Sequence, residues 1–248
     1  MVLAVPAMLG LIVGSFLNVV AYRLPRGESL AFPGSRCTSC GESVKPWDNV
    51  PVLSWLLLRG KCRSCGERIS ARYPLLELVT GVIFAIVALA RGFDAELVVL
   101  LPFAAVLVAV AAIDLEHRIV PNRIVLPAAV WAVASSAVVR PGELPELLIA
   151  GAGAFLALLV AALARPGGMG MGDVKLAGVM GLFLGTAVIP ALLIAFATGA
   201  LVGVAIMVRE GASARKKGVP FAPFLALGGL VALVIGPELV DLYTTRFL

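Results

Sequence analysis

The chain has 248 residues, of which 60% are apolar and only 14% are charged, and its mean hydropathy is +1.03. Soluble globular domains are about a quarter charged, and a protein of this size could not hide so much apolar surface from water. The composition therefore indicates a membrane protein. The net charge of +5 would suit a nucleic-acid partner, but such partners require a basic face interleaved with aromatic residues, and the sequence shows none.

Eight apolar runs predict an all-α polytopic membrane protein with about eight transmembrane helices. The runs are Leu3–Ala21, Pro74–Ala90, Leu97–Ile113, Ile124–Val139, Leu147–Ala164, Val174–Ile189, Ala191–Val208 and Pro220–Val240. Several lie at the short end of the range of about 17–25 residues that a span needs. The boundary near Pro190 is ambiguous, so seven helices plus a re-entrant segment form an alternative. The first run has no basic segment before it, and we interpret it as a retained helix rather than a cleavable signal.

The basic residues predict the orientation. If the crossings alternate and the N-terminus lies outside, 17 of the 20 basic residues fall on the inside, and only Arg91, Arg140 and Arg246 fall outside. Cytoplasmic loops of membrane proteins carry such an excess of Lys and Arg. The basic surplus therefore reflects membrane topology.

The four cysteines form an internal repeat within one polar insert. Cys37 and Cys40 make one Cys-x-x-Cys-Gly-Glu motif, Cys62 and Cys65 make the second, and 21 residues separate the two pairs. Four thiolates at this spacing predict a closed, tetrahedral and therefore structural Zn²⁺ site. Two disulfides or free thiols are the alternative, but disulfides are rare in the reducing cytosol, where the predicted orientation places this loop.

The insert also sets the predicted domain organisation. We expect a first transmembrane helix over residues 1–21, a zinc-binding cytoplasmic domain over 22–72 and a membrane domain over 73–248. A domain of about 50 residues has a thin core and usually needs a metal or disulfides for stability.

Two aspartates are predicted to lie at the same depth of the membrane. Asp114 directly follows the third apolar run, and Asp173 follows a glycine-rich segment and begins the sixth. Two carboxylates within hydrogen-bond reach share one proton, so that one can act as a base and the other as an acid. Such a pair can deprotonate water for attack on an amide carbonyl and then protonate the leaving nitrogen.

Each aspartate also has a simpler explanation. Asp173 could be a helix N-cap, and Asp114 could pair with Arg118 at i,i+4 spacing. His117 is the sole histidine, and we interpret it as an interfacial polar residue. Glu77 lies inside the second apolar run and is either functional or hydrogen-bonded to a neighbouring helix.

The ordered set of motifs resembles the type IV prepilin peptidase family of bacterial membrane aspartic proteases, and the resemblance covers nearly the whole chain. The motifs are residues 14–25 (GSFLNVVAYRLP), both cysteine pairs, residues 47–55 (WDNVPVLSW), 72–77 (RYPLLE), Asp114 with Pro121 and Asn122, residues 170–176 (GMGDVKL) and 220–224 (PFAPF). The Gly-x-Gly-Asp element is shared with presenilin-type proteases. The residue after Cys37 is Thr38, where the family often has proline.

The resemblance implies two activities at the bacterial inner membrane, with the active site facing the cytoplasm. The first is cleavage of a short basic leader from a prepilin or pseudopilin precursor, with Asp114 and Asp173 as the catalytic aspartates. The second is N-methylation of the new amino terminus from S-adenosylmethionine. The sequence contains no Gly-x-Gly-x-x-Gly signal, so the residues that bind the methyl donor stay unassigned.

Two other functions compete with this interpretation. A presenilin-like intramembrane protease would carry Tyr before the first aspartate, whereas this chain has Ile113, and it would lack a four-cysteine loop. A transporter or a zinc-stabilised scaffold would place its acidic residues near the bilayer midplane, whereas both aspartates are predicted at the inner edge.

Overall fold

The computed structural model describes residues 3–165, 168–210 and 219–247, which form nine α-helices and no extended sheet. The helices are α1 (Ala4–Arg23), α2 (Leu53–Leu57), α3 (Arg72–Arg91), α4 (Leu97–His117), α5 (Asn122–Val139), α6 (Leu144–Ala164), α7 (Met171–Leu184), α8 (Val188–Glu210) and α9 (Ala222–Phe247). The chain divides into two compact units, Met1–Leu89 and Ala90–Leu248. The basic residues Arg215, Lys216 and Lys217, used above for the orientation, lie outside the described residues.

The first unit is a helical hairpin that carries the cysteine-containing insert. α1 and α3 are antiparallel and in close contact, because a Cβ atom on Gly10 would lie 2.7 Å from Gly81 Cα and one on Gly14 would lie 2.7 Å from Glu77 Cα. Small residues four apart let membrane helices approach in this way. Buried Asn18 fixes the register, since its Nδ2 donates to the carbonyl of Tyr73 at 3.1 Å.

The second unit is a bundle of six helices, α4 to α9, with α4 at its centre. The side chains of Leu100, Phe103, Leu107 and Ile113 are almost fully buried along α4, and the Phe103 ring stacks on Phe183 of α7 at 4.3 Å between centroids. The outward-facing side chains of the bundle include many exposed leucines and valines, as expected for a surface that contacts lipid.

Two antiparallel pairs flank the central helix. Along α6 and α7, Gly181 faces Ala150 and Gly178 faces Phe155. Along α8 and α9, Gly236 faces Ala187, Gly228 faces Ala191 and Gly199 faces Phe224. Residue numbers rise on one helix as they fall on its partner, so both pairs are antiparallel.

The number of crossings is consistent with the prediction of about eight helices. By length and apolar composition, seven described segments can span a membrane, and one of these, Met171–Arg209, contains both α7 and α8. The starts of α7 and α9 both lie near the end of α4, as described below. Because α8 is antiparallel to α9, it ends where α7 begins. α7, with 14 residues, and α8, with 23, therefore run in opposite directions as two separate helices.

The break between these two helices is not at Pro190, where the sequence suggested it. It lies at the 3₁₀ turn Gly185–Ala187, and Pro190 is in the first turn of α8. Proline is tolerated there because the first helical N–H groups have no intrahelical acceptor. The turn uses the positive φ of Gly185 (58°), and Glu146 Oε1 accepts the N–H of Thr186 at 3.1 Å.

The close contact of α6 and α7 generates the first prediction. A Cβ atom on Gly181 would lie 2.5 Å from the carbonyl oxygen of Ala150, whereas nothing lies within 4 Å of a Cβ atom on Gly153. Gly181→Ala should lower the melting temperature in detergent by several degrees. Gly153→Ala, the control, should be neutral or slightly stabilising, by about 0.5–1 kcal/mol, because alanine favours the helix. Equal melting temperatures for the two variants would contradict this packing.

Candidate functional site

Asp114 is buried at the end of α4. The residue is only 5% exposed. Its Oδ2 accepts a hydrogen bond from the backbone N–H of Ala222, the first residue of α9, at 3.1 Å. The C-cap of α4 is Arg118, which has a left-handed backbone (φ 55°) and whose N–H donates to the Asp114 carbonyl oxygen. Arg118 adds an attractive charge, but the hydrogen bond that holds the carboxylate comes from α9.

Asp173 lies in the first turn of α7 and is not its N-cap. The N-cap is Gly170, and the Asp173 carboxylate accepts a hydrogen bond from the Gly170 backbone N–H, as the third helical residue does in a capping box. The residue is 9% exposed, and Oδ1 is buried without a hydrogen-bond partner among the described residues. A buried carboxylate oxygen without a partner is costly, so this oxygen is available for water, a proton or a substrate.

The structure brings the two aspartates to one place. They are close enough for the Asp114 charge to repel that of Asp173. Gly172 lets α7 approach the segment after α4, since a Cβ atom there would lie only 2.6 Å from Val120 Cβ. Lys175 Nζ donates to Asn122 Oδ1 at 3.1 Å and joins α7 to the start of α5.

These contacts involve residues whose role the sequence did not reveal. The side of Gly172 that a side chain would occupy is filled by Val120. The PFAPF segment contributes the Ala222 N–H that donates to the Asp114 carboxylate. A backbone donor has no side-chain signature, so no sequence pattern could have identified it.

The other polar candidates are Glu77 and His117. Glu77 belongs to the first unit, and its Oε2 accepts the Val52 N–H at 2.7 Å. His117 Nε2 lies 3.8 Å from Glu116 Oε2, which agrees with an interfacial polar role. The buried His117 Nε2 has no hydrogen-bond partner among the described residues.

The four cysteines form one cluster in the cysteine lobe, which we define as residues 35–70. Their Sγ atoms all lie within 4.8 Å of one another, and Cys37 and Cys65 Sγ are 3.8 Å apart. The four are free thiols, so the disulfide alternative is not what the structure shows. A tetrahedral metal with sulfur ligands at about 2.3 Å has edges of about 3.8 Å. The cluster therefore fits a four-coordinate ion and could bind a metal.

The two halves of the cluster have the same backbone geometry. The N–H groups of Cys37 and Cys62 donate to the carbonyls of Glu42 and Glu67 at 2.8 Å, and the bridges Arg36–Ser43 and Lys61–Arg68 close both hairpins. Each hairpin turns at a glycine with positive φ, Gly41 (73°) and Gly66 (74°). The sequence repeat is thus a structural repeat.

Local electrostatics favour thiolate at Cys37 but not at Cys65, whose pKa is raised to about 12 because burial and the three neighbouring thiols outweigh a hydrogen bond from the Glu67 backbone. Backbone N–H groups of Cys40 and Ser39 point at the Cys37 sulfur and lower the pKa of its thiol to about 6, and thiolate is the form that binds metals. Arg63 forms a two-pronged ion pair with Asp48 at 2.6 and 2.8 Å, and this hydrogen bond lowers the pKa of the Asp48 carboxyl. The pair joins the second hairpin to the segment between the hairpins.

Comparison with known sequences agrees with the division of the chain into two compact units. Residues 8–91 match the profile of the bacterial peptidase A24 N-terminal domain, and residues 101–204 match the type IV leader peptidase family. Two similar curated proteins are both named prepilin leader peptidase/N-methyltransferase. The one from Pseudomonas putida is 36% identical over 94% of this chain and 90% of its own. The one from Bacillus subtilis is 35% identical over 97% of both. No solved structure matches significantly.

Removal of one thiolate should abolish metal binding by the cysteine lobe. We expect Cys37→Ser or Cys65→Ser to lower the metal content of the purified protein from about one ion per chain to near zero, because a structural site needs all four ligands. Inductively coupled plasma mass spectrometry gives the metal-to-protein ratio. Ser39→Ala, between the ligands, is the control and should retain the ion. A full ion in Cys37→Ser would refute the four-ligand site.

Proposed function

Because the chain belongs to the type IV leader peptidase family, we propose that Asp114 and Asp173 are the two catalytic carboxylates of its peptidase reaction. The family is that of prepilin leader peptidases that are also N-methyltransferases. The chain therefore cleaves the leader of a prepilin and methylates the new amino terminus. The observation that carries the assignment of the aspartates is the buried Oδ1 of Asp173, which has no hydrogen-bond partner among the described residues and lies within reach of the Asp114 charge.

Cleavage requires one carboxyl group of the pair to be ionised and the other protonated, since two adjacent carboxylates do not both ionise readily. The ionised group takes a proton from water as the water oxygen bonds to the scissile carbonyl carbon. The protonated group supplies a proton to the leaving nitrogen, and the C–N bond breaks. The net change is addition of one water molecule, and the pair returns to its singly protonated state.

The Ala222 N–H has a positioning role in this scheme. It fixes Asp114 Oδ2 at the start of α9, so the second oxygen of that carboxylate can face Asp173. On the other side, Gly172 packs against Val120, and Lys175 donates a hydrogen bond to Asn122. These two contacts position the start of α7 and therefore Asp173. The geometry of the pair therefore depends on four helix ends, the end of α4 and the starts of α5, α7 and α9.

The substrates are the precursors of type IV pilins or of pseudopilins. A helical precursor hides its carbonyl groups in i→i−4 hydrogen bonds, and a glycine at the cleavage point weakens the helix, so that the strand can open toward the carboxylates. The short basic leader then stays on the side of the membrane that holds the excess of basic residues, which we assign as the cytoplasmic face of the bacterial inner membrane. The partners are thus a precursor and the lipid bilayer.

Zinc is the ion that we assign to the cysteine lobe. Four thiolates leave no open coordination position, so the ion is structural and stabilises a lobe with little apolar core. The division into a first helix (1–21), a zinc-binding cytoplasmic domain (22–72) and a membrane protease domain (73–248) follows from this role.

Neither competing function has a supporting observation. A transporter would use the two acids as ion ligands within a pathway, but they lie at helix ends next to a backbone donor. A presenilin-like protease would not need the cysteine lobe.

Loss of either carboxylate should stop cleavage. Asp114→Asn and Asp173→Asn keep the size of the side chain but cannot exchange a proton, so we expect processing of a co-expressed prepilin to fall by roughly a hundredfold or more. Asp94→Asn is the control, since Asp94 caps a loop by accepting the Glu96 N–H at 2.8 Å. Gel mobility and mass spectrometry of the pilin report cleavage. Wild-type processing by either single variant would refute the pair.

A second prediction tests the contact that positions Asp173. The methyl group of Gly172→Ala would overlap Val120 and displace α7, and a displacement of about 1 Å can reduce catalysis by about a hundredfold. Val120→Gly in the same chain removes the opposing Cβ and should restore most of the rate. Gly203→Ala, which has open space around it, is the control. If Gly172→Ala is as active as the control, this contact does not position the aspartate.

A further inference from the structure

The first unit encloses a large cavity that the peptidase reaction does not use. Its volume is about 1290 Å³, and its lining comes from α1, from α3 and from the cysteine lobe between them. Small-molecule sites usually measure about 300–1,000 Å³, so the cavity can hold a cofactor-sized molecule and part of a second ligand. Neither catalytic aspartate lines it.

The floor of the cavity is Glu77, the one buried ionisable side chain among the lining residues, all of which are described. The residue is 8% exposed, and its carboxylate accepts the Val52 N–H at 2.7 Å and a hydrogen bond from Ser15. A carboxylate buried in this way needs more compensation than two neutral donors provide. It therefore favours a cationic ligand group.

A strained turn forms the wall beside Glu77. Val52 has φ 62° and ψ −51°, and the Leu53 N–H donates to the Pro51 carbonyl at 2.6 Å, which defines a γ-turn. Positive φ is strongly disfavoured for a β-branched residue, and such strain concentrates at functional sites. The hydrogen bond from Val52 to Glu77 holds this turn in place.

The rest of the lining is balanced in charge and contains aromatic rings. Five basic and five acidic residues line the cavity, including the Arg63–Asp48 pair. A phosphate-rich ligand would require a basic excess, and a basic leader peptide would require an acidic one. Equal numbers suit a ligand that carries both charges. The Tyr73 and Phe32 rings, the latter 80% exposed, also line it and can stack on a flat base.

We propose that this cavity binds the methyl donor S-adenosylmethionine, with its sulfonium group toward Glu77. The inference rests on the methyltransferase activity given above and assigns its site to the first unit. The donor is zwitterionic, carries an adenine base and has one additional cationic centre, and these features match the lining. The sulfonium group carries a fixed positive charge, and this charge can compensate a buried carboxylate.

The chemistry at this site is a simple displacement. The lone pair of the neutral pilin amine attacks the methyl carbon and forms an N–C bond. The C–S bond breaks, and its electron pair stays on sulfur, which becomes the neutral thioether of S-adenosylhomocysteine. The nitrogen then loses one proton to solvent. Glu77 contributes by binding the cation before transfer and by favouring the release of the uncharged product.

The difference in charge between donor and product provides the test. Isothermal titration of the full chain in detergent with S-adenosylmethionine and with S-adenosylhomocysteine measures both affinities for Glu77→Gln. This variant keeps a carbonyl acceptor for Val52 and removes the charge. We expect the affinity for S-adenosylmethionine to fall about tenfold or more, and that for S-adenosylhomocysteine by less than about threefold.

Two controls make the result specific. Glu146→Gln is the matched variant, because Glu146 also accepts a backbone N–H, from Thr186, but in the second unit, and it should bind both ligands as the wild type does. Asp114→Asn should lose cleavage and keep donor affinity, so failure of the aspartate assignment and failure of the donor site are distinguishable. Metal content and melting temperature confirm that each variant is folded.

A photolabel on the wild-type chain covers the case in which Glu77→Gln does not fold. An azido derivative of S-adenosylmethionine should label peptides within residues 15–77, and unlabelled donor should compete. Label confined to residues 90–247, equal loss of affinity for both ligands in Glu77→Gln, or absence of donor binding to the wild type would each overturn the proposal.

Discussion

Burial of two carboxylates at one place is the constraint on which the second unit depends. A buried carboxylate requires hydrogen-bond donors, and membrane helices offer unpaired backbone N–H groups only at their first turns. Asp114 obtains its donor from the first residue of α9, and Asp173 from the N-cap of its own helix, α7. The start of α9 therefore lies at the end of α4, and the close contact of Gly172 with Val120 brings the start of α7 to the same place.

The assignments proposed above give each unit its own chemistry. The second unit holds rigid carboxylates on four helix ends, which suits a reaction that needs fixed proton donors and acceptors. The first unit holds a cavity around a strained turn, supported by a lobe whose geometry depends on four thiolates. A metal bound by the four cysteines would stabilise the walls of this cavity, since Cys37 and Cys62 contribute to its lining.

Much of this architecture could be predicted from the sequence, because apolar runs and the Cys-x-x-Cys-Gly repeats are local signals. The helices, the cysteine cluster and the approximate position of each aspartate follow from them. The sequence predicts the break between α7 and α8 near Pro190, because proline disrupts helices strongly. The break lies at Gly185 instead, because proline is tolerated in a first helical turn. The Ala222 donor, the fit of Gly172 on Val120 and the turn at Val52 depend on residues distant in sequence. Such contacts leave no periodic pattern. The catalytic role of the two aspartates stays a prediction.

Proximity of Asp114 and Asp173 is the central claim, and chemical cross-linking tests it without any activity assay. The variant Asp114→Cys/Asp173→Cys would carry a specific protease site in the α5–α6 connection, and a short bis-maleimide would be applied in membranes before proteolysis. The fragments should stay joined in the double variant. They should separate in Asp173→Cys alone, which controls for linkage to the four native cysteines, all of which precede Asp114. Equal separation of fragments in both variants would contradict the account.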